Sequence, residues 1–187
     1  MALATKPGVT LGRAVPAETD KLVEIINDAY SVEIGTTTVA FKKPGVLRLR
    51  SEGAIKEFQQ NVVEGKVLVL RNDDDYGEEV VHQERGEVVA CLVYEHRKEE
   101  ECVFFGPFAV KPESKGRGYG TLLLNELERM AREDFKAKWL KLYVVNHRSE
   151  LISLYSKKNF VECGTAEYPA PESLTRESHF VIMKKPL

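Results

Sequence analysis

The feature that most constrains this chain is a glycine-rich stretch between a β-type run and an amphipathic run. Residues 110–120 read Val-Lys-Pro-Glu-Ser-Lys-Gly-Arg-Gly-Tyr-Gly, so every second position at the end is glycine: Gly116, Gly118 and Gly120. Glycine lacks a Cβ and reaches positive φ without a steric penalty, which permits a sharp turn. The fold must therefore contain a strand and a helix that meet at this turn.

The same stretch has the chemistry of an anion site. A helix start has unpaired N–H groups and partial positive charge, which suits phosphate, and Lys115 and Arg117 add two cations. The stretch is not a nucleotide P-loop, because no Gly-Lys-Ser/Thr follows the glycines. It also lacks the dinucleotide fingerprint, because Leu123 stands where the last glycine or alanine would be. From these residues alone, a tight turn and a phosphate cradle are equally good interpretations.

Composition narrows the class of protein. A chain of 187 residues, 43% hydrophobic and 30% charged, is typical of one soluble globular domain. A net charge of −2 gives no general attraction to nucleic acid or acidic membrane, and no apolar run is long enough to span a bilayer. We therefore expect neither partner. An odd number of cysteines without metal-ligand spacing predicts reduced thiols, no bound metal and a cytoplasmic location, with nuclear entry left open; they are Cys91, Cys102 and Cys163.

Hydrophobic periodicity predicts an α/β domain of mixed sheet topology. Residues 1–8 form a flexible arm and residues 9–187 a single domain. Gly106-Pro107 interrupts the strand before the glycine loop and predicts a bulge or a splayed strand, since proline cannot donate to a ladder. The predicted strands are residues 9–13, 66–71, 87–95, 101–110, 139–145, 160–165 and 179–184. Helices are predicted near Pro16 and Ser51 and over residues 118–133 and 149–158.

A second motif follows the glycine loop. The strand over residues 139–145 is followed by Asn146, and the next helix carries Tyr155, Lys157 and Phe160. In these two motifs the chain resembles the GNAT superfamily of acetyl-CoA-dependent N-acetyltransferases. The resemblance covers residues 9–184 in element order, and the specific motifs lie between Phe108 and Phe160.

Two positions depart from the family pattern. The family loop is Arg/Gln-x-x-Gly-x-Gly/Ala, and Lys115 replaces its first residue while keeping a donor there. The family helix ends in Tyr-x-Lys-x-Gly-Phe, and Asn159 replaces its glycine. Asparagine is the next-best residue for positive φ, so we expect the helix end to be kept.

The resemblance implies a fold and an activity. The implied fold is a single-domain GNAT-like α/β fold: a mixed, largely antiparallel sheet of six to seven strands with a splayed central pair, flanked by about four helices. The implied activity moves the acetyl group of acetyl-CoA directly to a primary amine of a small-molecule or peptide acceptor. The alternative is a non-catalytic acyl-CoA-binding or sensor domain of the same fold. A homodimer is left open.

The resemblance also assigns site residues. It gives the pyrophosphate to the loop and first helical turn, and the pantetheine amides to the open edge of the preceding strand. A backbone N–H of that strand would polarise the thioester carbonyl. For Asn146 a bond to pantetheine and a strand-end role are both open. The candidate cofactor-binding residues are Phe108, Ala109, Val110, Lys115, Gly116, Arg117, Gly118, Tyr119, Gly120, Thr121 and Asn146.

Catalysis needs a donor to the departing sulfur and a base for the amine. Tyr155 is the candidate catalytic donor, and packing in the core is its simpler role. No base is assigned, because Phe104 stands where several family members have a carboxylate. Residues 31–50 and 168–176 are expected to wall the acceptor site. The candidate bases, each with the simpler interpretation of a surface group, are Glu33, His82, Glu95, Glu101 and His147.

Overall fold

Alternating and helical apolar patterns produce seven strands and four α-helices in a computed structural model that describes residues 8–31, 49, 51–72, 86–168 and 177–187. The strands are β1 (Val9–Arg13), β2 (Val67–Asn72), β3 (Glu87–Arg97), β4 (Cys102–Val110), β5 (Trp139–Val145), β6 (Val161–Glu167) and β7 (His179–Pro186). The helices are α1 (Thr19–Ser31), α2 (Glu52–Val63), α3 (Tyr119–Glu133) and α4 (Ser149–Ser156). None of the helices described is long and apolar enough to cross a membrane.

The strands form one sheet in the order β1-β2-β3-β4-β5-β7-β6. Every neighbouring pair is antiparallel except β4 and β5, which are parallel. The predicted α/β fold with a mixed, largely antiparallel sheet and four helices is therefore confirmed. Strand limits differ from the predicted ones by up to two residues. Helix α1 begins three residues after Pro16, because residues 16–18 form a 3₁₀ turn.

Each face of the sheet carries its own hydrophobic core. Helices α1 and α2 cover one face, where Leu22 and Ile26 are fully buried, and α3 and α4 cover the other, where Leu123 and Leu127 are fully buried. Strand β3 lies between the two cores. Residues 88–94 are all buried, although successive side chains of a strand point to opposite faces. The unbroken apolar run in the sequence thus marks a strand covered on both sides.

A buried ion pair joins the sheet to the start of α1. The side chain of Arg71 in β2 is 2% exposed, and its Nε and Nη2 donate to the two carboxylate oxygens of Glu18 at 2.8 and 2.7 Å. Glu18 lies in a short 3₁₀ turn before α1 and also accepts from the Val15 amide at 3.0 Å. Two parallel N–H···O bonds fix both position and orientation, so this pair sets where α1 begins against β2.

A second polar contact fixes the far end of α1. Asn27 is 8% exposed, and its side-chain oxygen accepts from the Leu49 amide at 2.8 Å. Its amide nitrogen donates back to the Leu49 carbonyl at 3.2 Å. The side chain therefore acts like one residue of a β-bridge and holds Leu49 beside the last turns of α1.

Candidate active site

The site begins where β4 and β5 separate. Within the described residues these strands pair only from Cys102 opposite Trp139 to Phe104 opposite Lys141. Beyond that point β4 continues along β3 and β5 continues along β7. We call the resulting opening, bounded by residues 105–110 of β4 and 142–145 of β5, the splay. It is the predicted splayed central pair, and it exposes a strand edge inside the sheet.

The ladder on the other side of β4 determines which groups face the splay. The Lys111 amide donates to the Val89 carbonyl at 2.9 Å, which fixes the alternation of hydrogen-bonded pairs between β3 and β4. Ala109 therefore bonds to β3, whereas Phe108 and Val110 direct their backbone groups into the splay. Of the three strand residues predicted to hold pantetheine, two present backbone groups there and Ala109 does not.

A bulge immediately precedes this segment. The pairing of β3 and β4 shifts by one residue between Leu92 opposite Phe108 and Tyr94 opposite Phe105. The extra residue lies at Gly106-Pro107, where the sequence predicts a bulge, and the peptide bond between them is cis. The bulge therefore lies at the start of the open edge of β4.

Each glycine of the loop has its own structural reason. Gly116 and Gly118 have φ of 79° and 83°, in the left-handed region that costs other residues conformational energy. A Cβ on either would meet no atom within 4 Å, so the backbone angle and not space requires glycine. At Gly120 the reason is contact, since a Cβ would lie 3.2 Å from Cζ of Phe108. The loop thus brings the start of α3 directly against β4.

The loop presents backbone donors at the start of α3. The amides of Thr121 and Leu122 donate to the Gly118 carbonyl at 3.0 and 3.1 Å, and the Lys115 amide donates to Pro112 at 3.3 Å. The helix therefore forms its first bonds directly after the loop. Within the described ranges, the amides of Gly116, Gly118 and Gly120 have no acceptor in the protein. Backbone amides grouped in this way at the start of a helix can bind an anion. The flanking Lys115 and Arg117 are exposed, as are Gly116 and Gly118.

A further cation approaches the start of α3 from the turn that follows α4. The Lys158 ammonium group donates to the Thr121 hydroxyl at 3.2 Å, although the two residues are 37 positions apart. Sequence analysis did not single out Lys158. Its only signal is its position three residues after Tyr155, which places both on one side of a helical turn.

Tyr155 lies inside the core against β4. Its side chain is 7% exposed, and its ring makes edge contacts with Phe105 and Phe160 at centroid distances of 6.2 and 5.5 Å. Asn159 has φ of 66°, and the Phe160 amide donates to the Tyr155 carbonyl at 3.0 Å. This is the expected left-handed helix end, with the bond of a Schellman motif. The C-terminus of α4 therefore holds the tyrosine beside the first residue of the splay.

Asn146 joins the ends of two strands. Its backbone amide donates to the His179 carbonyl at 3.0 Å, and its side-chain oxygen accepts from the backbone amide of His179 at 3.2 Å. The simpler of the two predicted roles is therefore present in the structure. The contact fixes the start of β7 beside the end of β5.

The position expected for a catalytic carboxylate is aromatic. Phe104 lies opposite Glu95 of β3, and its ring packs against Tyr143 at a centroid distance of 5.0 Å. The Arg97 guanidinium lies 4.3 Å from the centre of the Phe104 ring and donates to Glu95 at 2.7 Å. The candidate base nearest to Phe104 on the neighbouring strand is thus held in an ion pair.

The other candidate bases are dispersed. Glu101 pairs with Lys138 at 2.6 Å, and the His147 Nε2 lies 3.0 Å from the Glu177 carbonyl. Glu33 and His82 lie outside the described residues, as do residues 32–48 and 169–176 of the expected acceptor walls and residues 1–7 of the predicted arm. The structure therefore brings together the loop, the open edge of β4 and Tyr155, while each of the three candidate bases among the described residues contacts a different partner.

Comparison with solved structures shows which known proteins share this fold. A ribosomal-protein-alanine N-acetyltransferase from Brucella melitensis aligns with a TM-score of 0.64 and 22% identity, over 95% of this chain and 99% of that one. A GNAT-family acetyltransferase from Streptococcus pneumoniae gives 0.65 and 19%, over 96% and 99%. N-acetylglutamate synthase from Neisseria gonorrhoeae, complexed with coenzyme A and N-acetyl-glutamate, gives 0.62 and 16%, over 98% of this chain and 36% of that one. At these identities the likeness shows the fold.

Sequence comparison identifies the family. A search of curated proteins found no match. The sequence model of the acetyltransferase (GNAT) family matches residues 48–160, which is more than half of the chain and includes the glycine loop, both strands of the splay and Tyr155. The expectation of an acyltransferase of this family is thereby confirmed. The chain belongs to the GNAT acetyltransferase family.

Proposed function

We propose that this protein transfers the acetyl group of acetyl-CoA directly to a primary amine of a small-molecule or peptide acceptor, within a ternary complex. One observation carries the proposal: the open edge of β4 is followed by a loop in which the amides of Gly116, Gly118 and Gly120 have no acceptor among the described residues. We assign this activity to one cytoplasmic domain of residues 9–187.

The residues present fit the two polar parts of acetyl-CoA. Loop amides at Gly116 to Gly120, with Lys115, Arg117 and Lys158 nearby, would hold the pyrophosphate. The Phe108 N–H would polarise the thioester carbonyl, and the Phe108 carbonyl and the backbone groups of Val110 would pair with the pantetheine amides as a neighbouring strand does. A structural neighbour of the same fold is complexed with coenzyme A, which supports this assignment.

Two proton requirements define the chemistry. An alkylamine with a pKa near 10.4 is protonated at neutral pH, and freeing its lone pair at pH 7 costs about 4.6 kcal/mol. The thiolate of CoA must also be stabilised as it departs. We assign that donor role to the Tyr155 hydroxyl, because α4 holds this side chain against Phe105 at the start of the splay.

Calorimetric titration with acetyl-CoA tests the proposal directly. Saturable binding at micromolar protein is expected, and its absence would contradict the proposal.

A Tyr155→Phe variant keeps the ring contacts with Phe105 and Phe160 and loses only the hydroxyl. We expect its turnover to fall about 100-fold, the low end for a positioned proton donor. Its affinity for CoA should stay within about twofold, because the hydroxyl is not assigned to CoA binding in the ground state. Unchanged turnover would remove Tyr155 from the mechanism.

The rival function is an acyl-CoA sensor, which the aromatic Phe104 in place of a carboxylate favours. A sensor binds acetyl-CoA and does not turn it over. Incubation with a panel of polyamines, amino acids, amine antibiotics and peptides, followed by thiol release, distinguishes the two. Release of CoA that depends on one class of amine supports the transferase.

A further inference from the structure

Tyr30 reaches the splay from the face opposite Tyr155. It is the penultimate residue of α1 and packs against the core beneath α1 and α2, whereas Tyr155 belongs to the core beneath α3 and α4. Its hydroxyl lies 3.5 Å from the Phe108 amide nitrogen and accepts a long hydrogen bond from it. The two residues are 78 positions apart, so only the fold brings them together.

The Phe108 amide is the important partner. The β3–β4 ladder directs this N–H into the splay and away from β3. Under the proposed function it is a donor for the thioester oxygen. The tyrosine hydroxyl therefore lies beside the point where that oxygen would be bound, on the α1 side of the sheet.

We propose that Tyr30 is a catalytic residue that donates a second hydrogen bond to the thioester oxygen, beside the Phe108 amide. The proposal rests on the proposed function. A hydrogen bond from a hydroxyl or amide to oxygen spans about 2.7–2.9 Å. The two donor atoms are 3.5 Å apart, so a small movement of the hydroxyl off the axis of the N–H lets a single oxygen lie within reach of both. A hydroxyl also rotates, so it can turn from accepting the amide proton to donating its own.

The step needs such donors because negative charge develops on that oxygen. The acceptor nitrogen bonds to the acetyl carbon, and the carbonyl π pair moves to the oxygen. The pair then returns as the carbon–sulfur bond breaks. The nitrogen gives its proton to water, the sulfur takes the proton of the Tyr155 hydroxyl, and a proton from solvent restores that hydroxyl. Tyr30 gives no proton away in this sequence. Hydrogen bonds from fixed donors to this oxygen strengthen as its negative charge grows, and this lowers the activation barrier of the transfer.

The test needs no acceptor. We would measure the affinities for acetyl-CoA and CoA by calorimetry, and the carbonyl stretch of bound ¹³C-labelled acetyl-CoA by difference infrared spectroscopy, in wild type and Tyr30→Phe. In wild type the stretch should shift to lower frequency on binding. In Tyr30→Phe we expect most of that shift to be lost, acetyl-CoA to bind about threefold to tenfold more weakly, as for one lost hydrogen bond, and CoA to bind as before.

Tyr94→Phe is the matched control. It also removes a hydroxyl from a tyrosine that bonds to the backbone, in this case the Gly65 carbonyl at 3.0 Å, which lies between α2 and β2 and outside the splay. It should leave the carbonyl shift and both affinities unchanged. An unchanged shift in Tyr30→Phe overturns the inference, and so does an equal loss of CoA and acetyl-CoA affinity, which would indicate a packing role. Failure of the wild type to bind CoA would instead overturn the proposed function.

Discussion

The two sides of β4 differ in one respect that separates stability from function. Towards β3 the strand is paired along its length, with a single bulge, and the paired region continues through β2 to β1. Towards β5 it is paired for three residues and then open. The same strand therefore stabilises the sheet through one row of backbone groups and offers the other row to a ligand. We refer to these as the paired side and the splay.

The largest expected effect lies on the paired side. Glu18→Ala removes the carboxylate that neutralises Arg71, whose side chain is 2% exposed. Loss of one partner leaves a buried charge, and we expect the free energy of unfolding to fall by about 3–5 kcal/mol. Urea denaturation measures this change. Glu24→Ala, which breaks the exposed pair with Lys21, is the control and should have little effect.

The separation of stability on the paired side from binding at the splay would be contradicted if Glu18→Ala also weakened the binding of CoA by the folded protein. The ion pair fixes α1 against β2, whereas the proposed CoA contacts lie in the loop, the end of α4 and the splay. Affinity measured well below the urea transition should therefore equal that of the wild type.

The second-largest effect is expected in the glycine loop, beyond the end of the splay. Gly118→Ala forces a Cβ into the left-handed region, at a cost of about 1–2 kcal/mol. The loop can relieve this strain by shifting its amides, so we expect CoA affinity to fall about tenfold. Gly118→Asn tolerates the angle better and should lose less. Equal losses in calorimetric titrations of the two variants would show that backbone angle is not the cause.

A smaller effect is expected at Lys158. Lys158→Ala removes one cation beside the first turn of α3, and we expect CoA to bind about threefold more weakly at low salt. The difference should shrink as ionic strength rises, because exposed charges are screened. Lys56→Ala on α2 makes the same change of charge away from the site and should leave affinity unchanged. A loss independent of salt would argue against an electrostatic role.

The smallest expected effect concerns the reactivity of the three cysteine thiols, which shows whether the paired side opens. Burial raises the pKa of Cys91, in β3 on the paired side, to about 12, and also raises the pKa of Cys102. Cys163 on the outer strand β6 is exposed. We expect a thiol reagent to modify Cys163 alone in the native protein at pH 8, as determined by mass spectrometry, and all three thiols in urea. Modification of Cys91 without denaturant would show that the paired side opens.

The raised pKa of Cys91 also determines how the free energy of unfolding changes with pH. The Cys91 thiol keeps its proton in the folded state up to pH about 12, whereas an unfolded thiol loses it near pH 8.5. The unfolded state is therefore favoured as pH rises from about 8.5 towards 12. Urea unfolding at pH 8 and 10 should show a smaller loss of stability in Cys91→Ala than in wild type.

The features predicted correctly from sequence are local ones. The bulge at Gly106-Pro107 and the left-handed end at Asn159 each depend on a few consecutive residues, whose backbone preferences sequence reveals. The glycine loop belongs to the same class, although its three glycines serve two different purposes.

The features that sequence analysis missed are non-local contacts between polar side chains. Glu18 and Arg71 are 53 positions apart, and Tyr30 meets Phe108 across 78. No periodicity marks such pairs, because the residues around one member carry no information about the other. Asn146 shows the intermediate case: its place at a strand end was evident, and its partner His179 was not.

The pairing of Asn27 with Leu49 has a consequence for how this fold can diversify. The chain that leaves α1 after Ser31 is held again beside α1 at Leu49, so the intervening residues have fixed ends. Doubling the length of a loop with fixed ends costs only about 0.6 kcal/mol. The chain-entropy cost of a longer connection between Ser31 and Leu49 is therefore small. The anchor at Asn27 sets where the chain returns to α1, whatever the number of residues that precede Leu49.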